Sequence, residues 1–115
     1  MQYMLLVYWN EAERKSATKA QLAGTFAAYS AYTDALKKAG AFLAGSGLQN
    51  SSTATVVRAP NGKRTVLNGP YIESKEQLGG YYIIEAADLD SAFAWAARCP
   101  GAQQDAVEVR PLMVY

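Results

Sequence analysis

The opening nine residues, MQYMLLVYW, are apolar on both of their alternating sets, with Met1, Tyr3, Leu5, Val7 and Trp9 on one side and Met4, Leu6 and Tyr8 on the other. A strand written this way is covered on both faces and belongs inside a layered domain. The rest of the chain, or a second copy of it, must supply two covers.

One cover is legible downstream. Leu22, Phe26, Tyr29, Thr33 and Leu36 recur at spacings of four, three, four and three, the single stripe of a helix over 18–39. Thr18 and Gln21 have the spacing of a capping box, and Lys37 and Lys38 precede Gly40, where cations oppose the negative helix end. AFLAGSGLQ (41–49) reads as a strand interrupted by Gly45 and Gly47. TATVVRA (53–59) and KRTVL (63–67) flank Pro60-Asn61-Gly62 as a hairpin. A strand at 81–86 follows, then a helix capped by Asp88 that runs through Arg98 and carries Leu89, Ala92, Phe93 and Ala96 on one side. Pro100-Gly101 stops it, and VEVRPLMVY (107–115) closes the chain as a strand in which Pro111 favours an edge or a bulge.

This order predicts an α+β domain with two helices on one face of an antiparallel sheet. The first strand still has a second apolar face. We expect that face to pack on the same sheet of another copy, giving a homodimer about a two-fold axis. The alternative is a monomer whose long hairpin folds back over it.

Chemistry is bounded mainly by what is missing. The 115 residues make one domain, and a net charge of +1 from scattered side chains offers no field for nucleic acid. One cysteine, Cys99, forms no internal disulfide; at a helix end it reads as an inert, half-buried thiol. Without a charged start and apolar h-region the expected compartment is cytoplasmic, and no apolar run approaches the roughly 20 residues of a membrane span. The chain has no histidine, which removes the commonest general base and the commonest metal ligand together. Neither a metal nor a cofactor is expected, and any chemistry falls to carboxylates, lysine, arginine or tyrosine.

NGPYIESKEQLGGYYIIE (68–85) concentrates the candidates. Asn68-Gly69 alone suggests another hairpin, but Pro70 cannot donate into a ladder, so the chain leaves the sheet there. Tyr71 and Ile72 anchor the corner, and Glu73, Ser74, Lys75 and Glu76 form a polar turn, readable as a single turn of helix. Gly79-Gly80 marks a bulge or a close approach to the backbone. The pair precedes a strand and not a helix, which argues against a phosphate loop. Two readings stand: Glu73, Lys75 and Glu76 act as acid, base or clamp over a pocket, or the stretch is a solvated corner. Tyr29 and Tyr32 either present hydroxyls to a cavity between helix and sheet or fill the core. Tyr8 and Trp9 end the first strand, at a pocket mouth or in ordinary edge packing, and Tyr81 begins the strand after the glycines. Ser46 exposes a hydroxyl between two glycines without a neighbouring base. Arg110 either binds a ligand carboxylate or pairs with Glu108 or Glu85.

The same stretch resembles the DGPF-type signature of the YCII-related domain family, an Asp-Gly-Pro-Phe turn followed by an acidic residue, a Lys-Glu pair and a Gly-Gly-aromatic strand. MQYMLLVYW, ALKKAGAFLAGSGLQ and VEVRPL are similar to that family as well. The resemblance implies a ferredoxin-like fold that dimerises sheet to sheet as a dimeric α/β barrel; the DGPF-type branch has no established activity, while some YCII relatives are enzymes on small aromatic or lactone-like compounds that use a histidine on the first helix with an acidic partner. Here Asn68 and Tyr71 replace the signature's Asp and Phe, and Tyr29 falls near the histidine position, so histidine chemistry is closed to this chain.

The resulting expectation is a homodimer with a small-molecule pocket bounded by the first helix, the first strand and the 68–81 corner. Lys75, Glu76 and Tyr29 would be catalytic. Tyr8, Tyr32, Ser46, Asn68, Tyr71, Glu73, Gly79, Gly80, Tyr81 and Arg110 would contact the ligand. A cofactor-free lyase, isomerase or monooxygenase is one reading; a ligand-sensing module without chemistry is another; a structural dimer with Tyr29, Tyr32 and Tyr81 filling the pocket is the third.

Overall fold

The computed structural model describes residues 1–115. In chain order it contains β1 (Gln2–Trp9), α1 (Glu11–Lys15), α2 (Lys19–Lys38), β2 (Phe42–Gly47), β3 (Thr55–Arg58), β4 (Thr65–Asn68), β5 (Gln77–Glu85), α3 (Leu89–Arg98), α4 (Pro100–Gln104) and β6 (Ala106–Pro111). Strands β2-β5-β1-β6 form a four-stranded sheet, and β3 and β4 pair separately. Every pairing in the sheet is antiparallel, with β1 and β5 central. This is the ferredoxin-like strand order.

Strand β1 is central because its sequence leaves it no alternative. Tyr3, Leu5 and Val7 point into the core with Tyr82 and Ile84 of β5, Tyr32 and Leu36 of α2, and Ala92 and Ala96 of α3. Leu5, Leu36 and Ile84 are completely buried, and each contributes on the order of 1.5–3 kcal/mol relative to an exposed side chain. The opposite face of the sheet carries no helix. There Met4, Leu6, Tyr8, Tyr81 and Ile83 are half-exposed.

Helix α2 starts where the sequence predicts. Thr18 Oγ1 accepts from the Gln21 amide at 3.1 Å, and Gln21 Oε1 accepts from the Thr18 amide at 2.8 Å. The stripe below this cap is only partly buried, since Leu22 and Phe26 remain exposed and closure begins at Tyr29. The helix seats on the sheet through its C-terminal half.

Several expectations are corrected. Pro100 does not simply end α3; as the first residue of α4, where its missing N–H costs nothing, it starts a further turn of helix. Leu89 and Phe93 lie at the surface while Ala92 and Ala96 take the buried positions. The last strand stops at Pro111, and Met113, Val114 and Tyr115 are exposed. Residues 69–76 form bends without a helical turn. The expected hairpin forms, yet it stands away from the body: the radius of gyration is 16.0 Å, against about 13 Å for a compact chain of this length.

Candidate functional site

Because α2 seats by its C-terminal half, its N-terminal half stands over the sheet and leaves a cleft of about 570 Å³. Val7 and Trp9 of β1 and Phe42 of β2 form part of the wall, with Tyr82 of β5. Thr25, Phe26, Tyr29, Thr33 and Lys37 line it from α2, and Arg14 from α1. Gly45, Gly47 and Gly80 contribute main chain. At Gly45 a Cβ would fall 2.8 Å from the Tyr82 ring, so glycine makes room for that aromatic wall.

Trp9 is set by Gly79. A Cβ on Gly79 would lie 2.0 Å from the indole, so the ring rests on main chain where any other residue would push it away. The other contacts of the indole are the edge of Tyr29, with ring centroids 6.4 Å apart, and the Arg14 guanidinium, 3.6 Å from the ring centroid. Stacking of this kind stabilises a cation by about 0.5–1 kcal/mol, and more when desolvated.

Two of the cleft's hydroxyls are already engaged within the fold. Thr33 Oγ1 donates to the Tyr29 carbonyl at 2.9 Å and shares a 2.9 Å hydrogen bond with Tyr82 Oη. Burial, reinforced by the neighbouring Cys99, raises the Tyr29 phenol well above the usual tyrosine range despite the opposing charge of Arg14. Burial raises Tyr82 as well. Both phenols therefore keep their protons at neutral pH. Two cations, Arg14 and Lys37, line the cleft, and neither a carboxylate nor a histidine does. The arrangement can receive an electron-rich ring and polarise an oxygen, but it offers no carboxylate or imidazole to take a proton.

The residues singled out from sequence are divided by the structure. Tyr29, Ser46, Gly80 and Tyr81 line the cleft. Ser46 and Tyr81 face each other across the β2–β5 ladder, in alternation with Gly45 and Tyr82. They therefore line the cleft with backbone, and the Ser46 hydroxyl turns to the Gly47 carbonyl at 3.1 Å. Gly79 acts through Trp9. Tyr32 is core: it is 5% exposed, and its hydroxyl donates to the Trp95 carbonyl at 2.7 Å. Tyr8 and Tyr71 line a separate cavity of about 560 Å³ on the helix-free side, with Pro70, Ile72, Ser74 and Leu78. Asn68, Glu73, Lys75 and Glu76 are exposed and line neither cavity. Arg110 pairs with Glu108 at 3.5 Å on the surface. The single pocket expected between the first helix and the 68–81 corner is thus two cavities on opposite faces of the sheet.

Arg14, Lys37, Phe42 and Tyr82 are cleft residues that sequence reasoning did not select. A signal for Arg14 existed. Asn10 and Glu13 have the spacing of a cap and its third helical residue, and Asn10 Oδ1 does accept from the Glu13 amide at 3.1 Å. Helix α1 was readable there, and with it a cation beside the end of β1. Tyr82 alternates with Tyr81, and only the register shows which of the two faces the helix.

No three His, Cys, Asp or Glu side chains converge to hold a metal, and no helix is long and apolar enough to cross a membrane. The family model for the YCII-related domain matches residues 1–115, and the chain belongs to that family. An uncharacterized protein of Rhizobium meliloti (strain 1021) is 39% identical over 67 residues, a match that spans 56% of this chain and only about half, 54%, of that relative. Among solved structures, the chain is similar to 5-chloro-2-hydroxyhydroquinone dehydrochlorinase from Burkholderia phenoliruptrix AC1100 in complex with 2,5-dihydroxybenzoquinone. The TM-score is 0.59 and the identity 16%, over 98% of this chain and 94% of that one. A likeness at this identity shows the fold.

Proposed function

We propose that this YCII-related domain is a homodimer that binds a small planar, oxygen-bearing aromatic or carbonyl compound in the cleft between α2 and the sheet. The lining carries the reading: an aromatic slot of about 570 Å³ with two cations and no carboxylate. The dehydrochlorinase of similar fold was solved with 2,5-dihydroxybenzoquinone, a planar ring of this class, which supports the choice.

The chemistry open to such a site is cofactor-free. The Arg14 and Lys37 cations favour negative charge that develops on an oxygen of the ligand. A lyase or isomerase step on a substrate that already carries its own ionised oxygen fits this wall. A non-catalytic sensor is the second reading, favoured by the absence of histidine and carboxylate from the cleft. The two separate on whether a bound compound is recovered unchanged after prolonged incubation.

The dimer reading rests on the uncovered side of the sheet, where Met4, Leu6, Tyr8, Tyr81 and Ile83 form an apolar surface on the central strands. The hairpin adds exposed Val57, Val66 and Leu67.

Gly47→Phe tests the site. Gly47 shares its side of the sheet with Gly45 and a Cβ there meets nothing within 4 Å, so a side chain at that position starts in open space and extends into the cleft. The variant should keep the wild-type melting temperature and lose binding of 2,5-dihydroxybenzoquinone at least tenfold. Unchanged affinity would place the site elsewhere.

A further inference from the structure

We propose that Arg14 is the anion anchor of this cleft, and that the molecule held there is a planar anion carrying a carboxylate or an ionised enol or phenol on a single ring. The inference rests on the reading of the cleft as the binding site and adds the charge of the ligand to it.

Arg14 is a cation without a carboxylate partner. The ion pairs of the molecule are Met1 with Glu85 and Arg110 with Glu108, and Arg14 joins neither. Its guanidinium instead stacks on Trp9 at 3.6 Å from the ring centroid. A guanidinium stacked by its face keeps its N–H groups in the plane, free to meet two oxygens of one ligand side by side. A lysine in its place would offer a point charge and lose the stack.

The helix that carries the cation is anchored before any ligand arrives. The Glu11 amide of α1 donates to Gln77 Oε1 at 2.9 Å, and the Glu11 carboxylate accepts from the Ser51 amide at 2.7 Å and the Ser51 hydroxyl at 2.5 Å. These bonds tie α1 to the start of β5 and to the segment after β2. Trp9, the platform, is itself fixed on Gly79. The platform on which the cation stacks is thus in place before binding.

Charge directs an anion to one side of Arg14. The adjoining groove of about 450 Å³, which also reaches Arg14, is lined by Glu13 and Asp105. The cleft has no acidic residue and has Lys37 as a second cation. An anion at Arg14 is repelled on the first side and accepted on the second.

A matched pair of probes tests this: 4-hydroxybenzoate and its neutral isostere 4-hydroxybenzamide, titrated by calorimetry and by amide chemical shifts of the wild type, Arg14→Gln and Arg14→Lys. The expected result is at least tenfold tighter binding of the benzoate by the wild type, with shifts at Gly45, Gly80 and Tyr82. Arg14→Gln should abolish the difference between the probes while its circular dichroism stays native, and Arg14→Lys should retain part of it. Equal affinity for the two probes in the wild type, or a preserved difference in Arg14→Gln, overturns the anion anchor and leaves the cleft as the site. Shifts from both probes that avoid the cleft overturn the anchor and the binding site together.

Discussion

Trp9 rests on Gly79 so closely that a methyl group on the glycine would lie 2.0 Å from the indole. The bulge that creates this contact sits where Val7 pairs with Gly80 and Tyr8 with Leu78, which leaves Gly79 as the extra residue. Gly79→Ala should therefore displace the ring on which Arg14 stacks. The expected cost is about 1–3 kcal/mol of stability, as for other overpacked positions. The tryptophan emission should shift and affinity for planar anions should fall. Urea denaturation with the fluorescence of the folded state measures both.

Gly24 sits inside α2 with nothing within 4 Å of an added Cβ. Gly24→Ala should raise stability by about 0.5–1 kcal/mol through helix propensity. A thermal melt checks this, and because the position faces open space the oligomeric state should not change.

The corner residues offer a prediction of the opposite kind. Lys75 and Glu76 are exposed and line neither large cavity. Lys75→Ala and Glu76→Ala should each change affinity at the α2 cleft by less than twofold. A calorimetric titration that shows a tenfold loss for either would bring the corner back as a functional element.

Alkaline pH should destabilise the fold more than surface charge alone accounts for. Burial raises the phenols of Tyr29, Tyr32 and Tyr82 above their ordinary value. The folded chain thus holds these protons more tightly than the unfolded chain does. Their contribution is intact below about pH 10, the unfolded phenol value, and is lost as pH rises beyond it. Tyr32→Phe should flatten that alkaline slope. At neutral pH it should cost about 1–3 kcal/mol, because the Trp95 carbonyl loses its 2.7 Å donor. Denaturation midpoints between pH 8 and pH 11 in both proteins give the comparison.

Much of this architecture is written in local pattern. The doubly apolar β1, the capping box at Thr18 and the turn at Pro60 to Gly62 each state their structure within a few residues, because propensity and burial agree there. The site was less legible, and the reason is parity. A strand's side chains alternate, so one extra residue decides which face every later residue takes. Without the bulge at Gly79, Leu78 would oppose Trp9 and share its face; with it, Leu78 opposes Tyr8 on the helix-free side. The 69–76 corner follows that side, away from Tyr29. No local signal gives the pairing partner of Leu78, and so none places Lys75 and Glu76. Arg14 was missed for a different reason: α1 is five residues long, too short for periodicity to register.

The uncovered face of the sheet makes its own prediction. If a second copy covers Met4, Leu6, Tyr8, Tyr81 and Ile83, sedimentation equilibrium should give twice the chain mass of 12.4 kDa. Leu6→Asp should yield monomers, since a charge buried at such a contact has no partner. A wild-type chain that sediments as a monomer at high concentration would remove the dimer while leaving the cleft untouched.

The most direct test of the cleft as the binding site is a map of where a planar ring binds. In an amide chemical-shift titration with 2,5-dihydroxybenzoquinone, the expected perturbations fall on α2 from Thr25 to Thr33, on Gly45 and Gly47 of β2, and on Gly80 and Tyr82 of β5. Perturbations gathered instead at Tyr8, Tyr71 and the residues around Leu78 would put the ligand on the helix-free face and contradict the site.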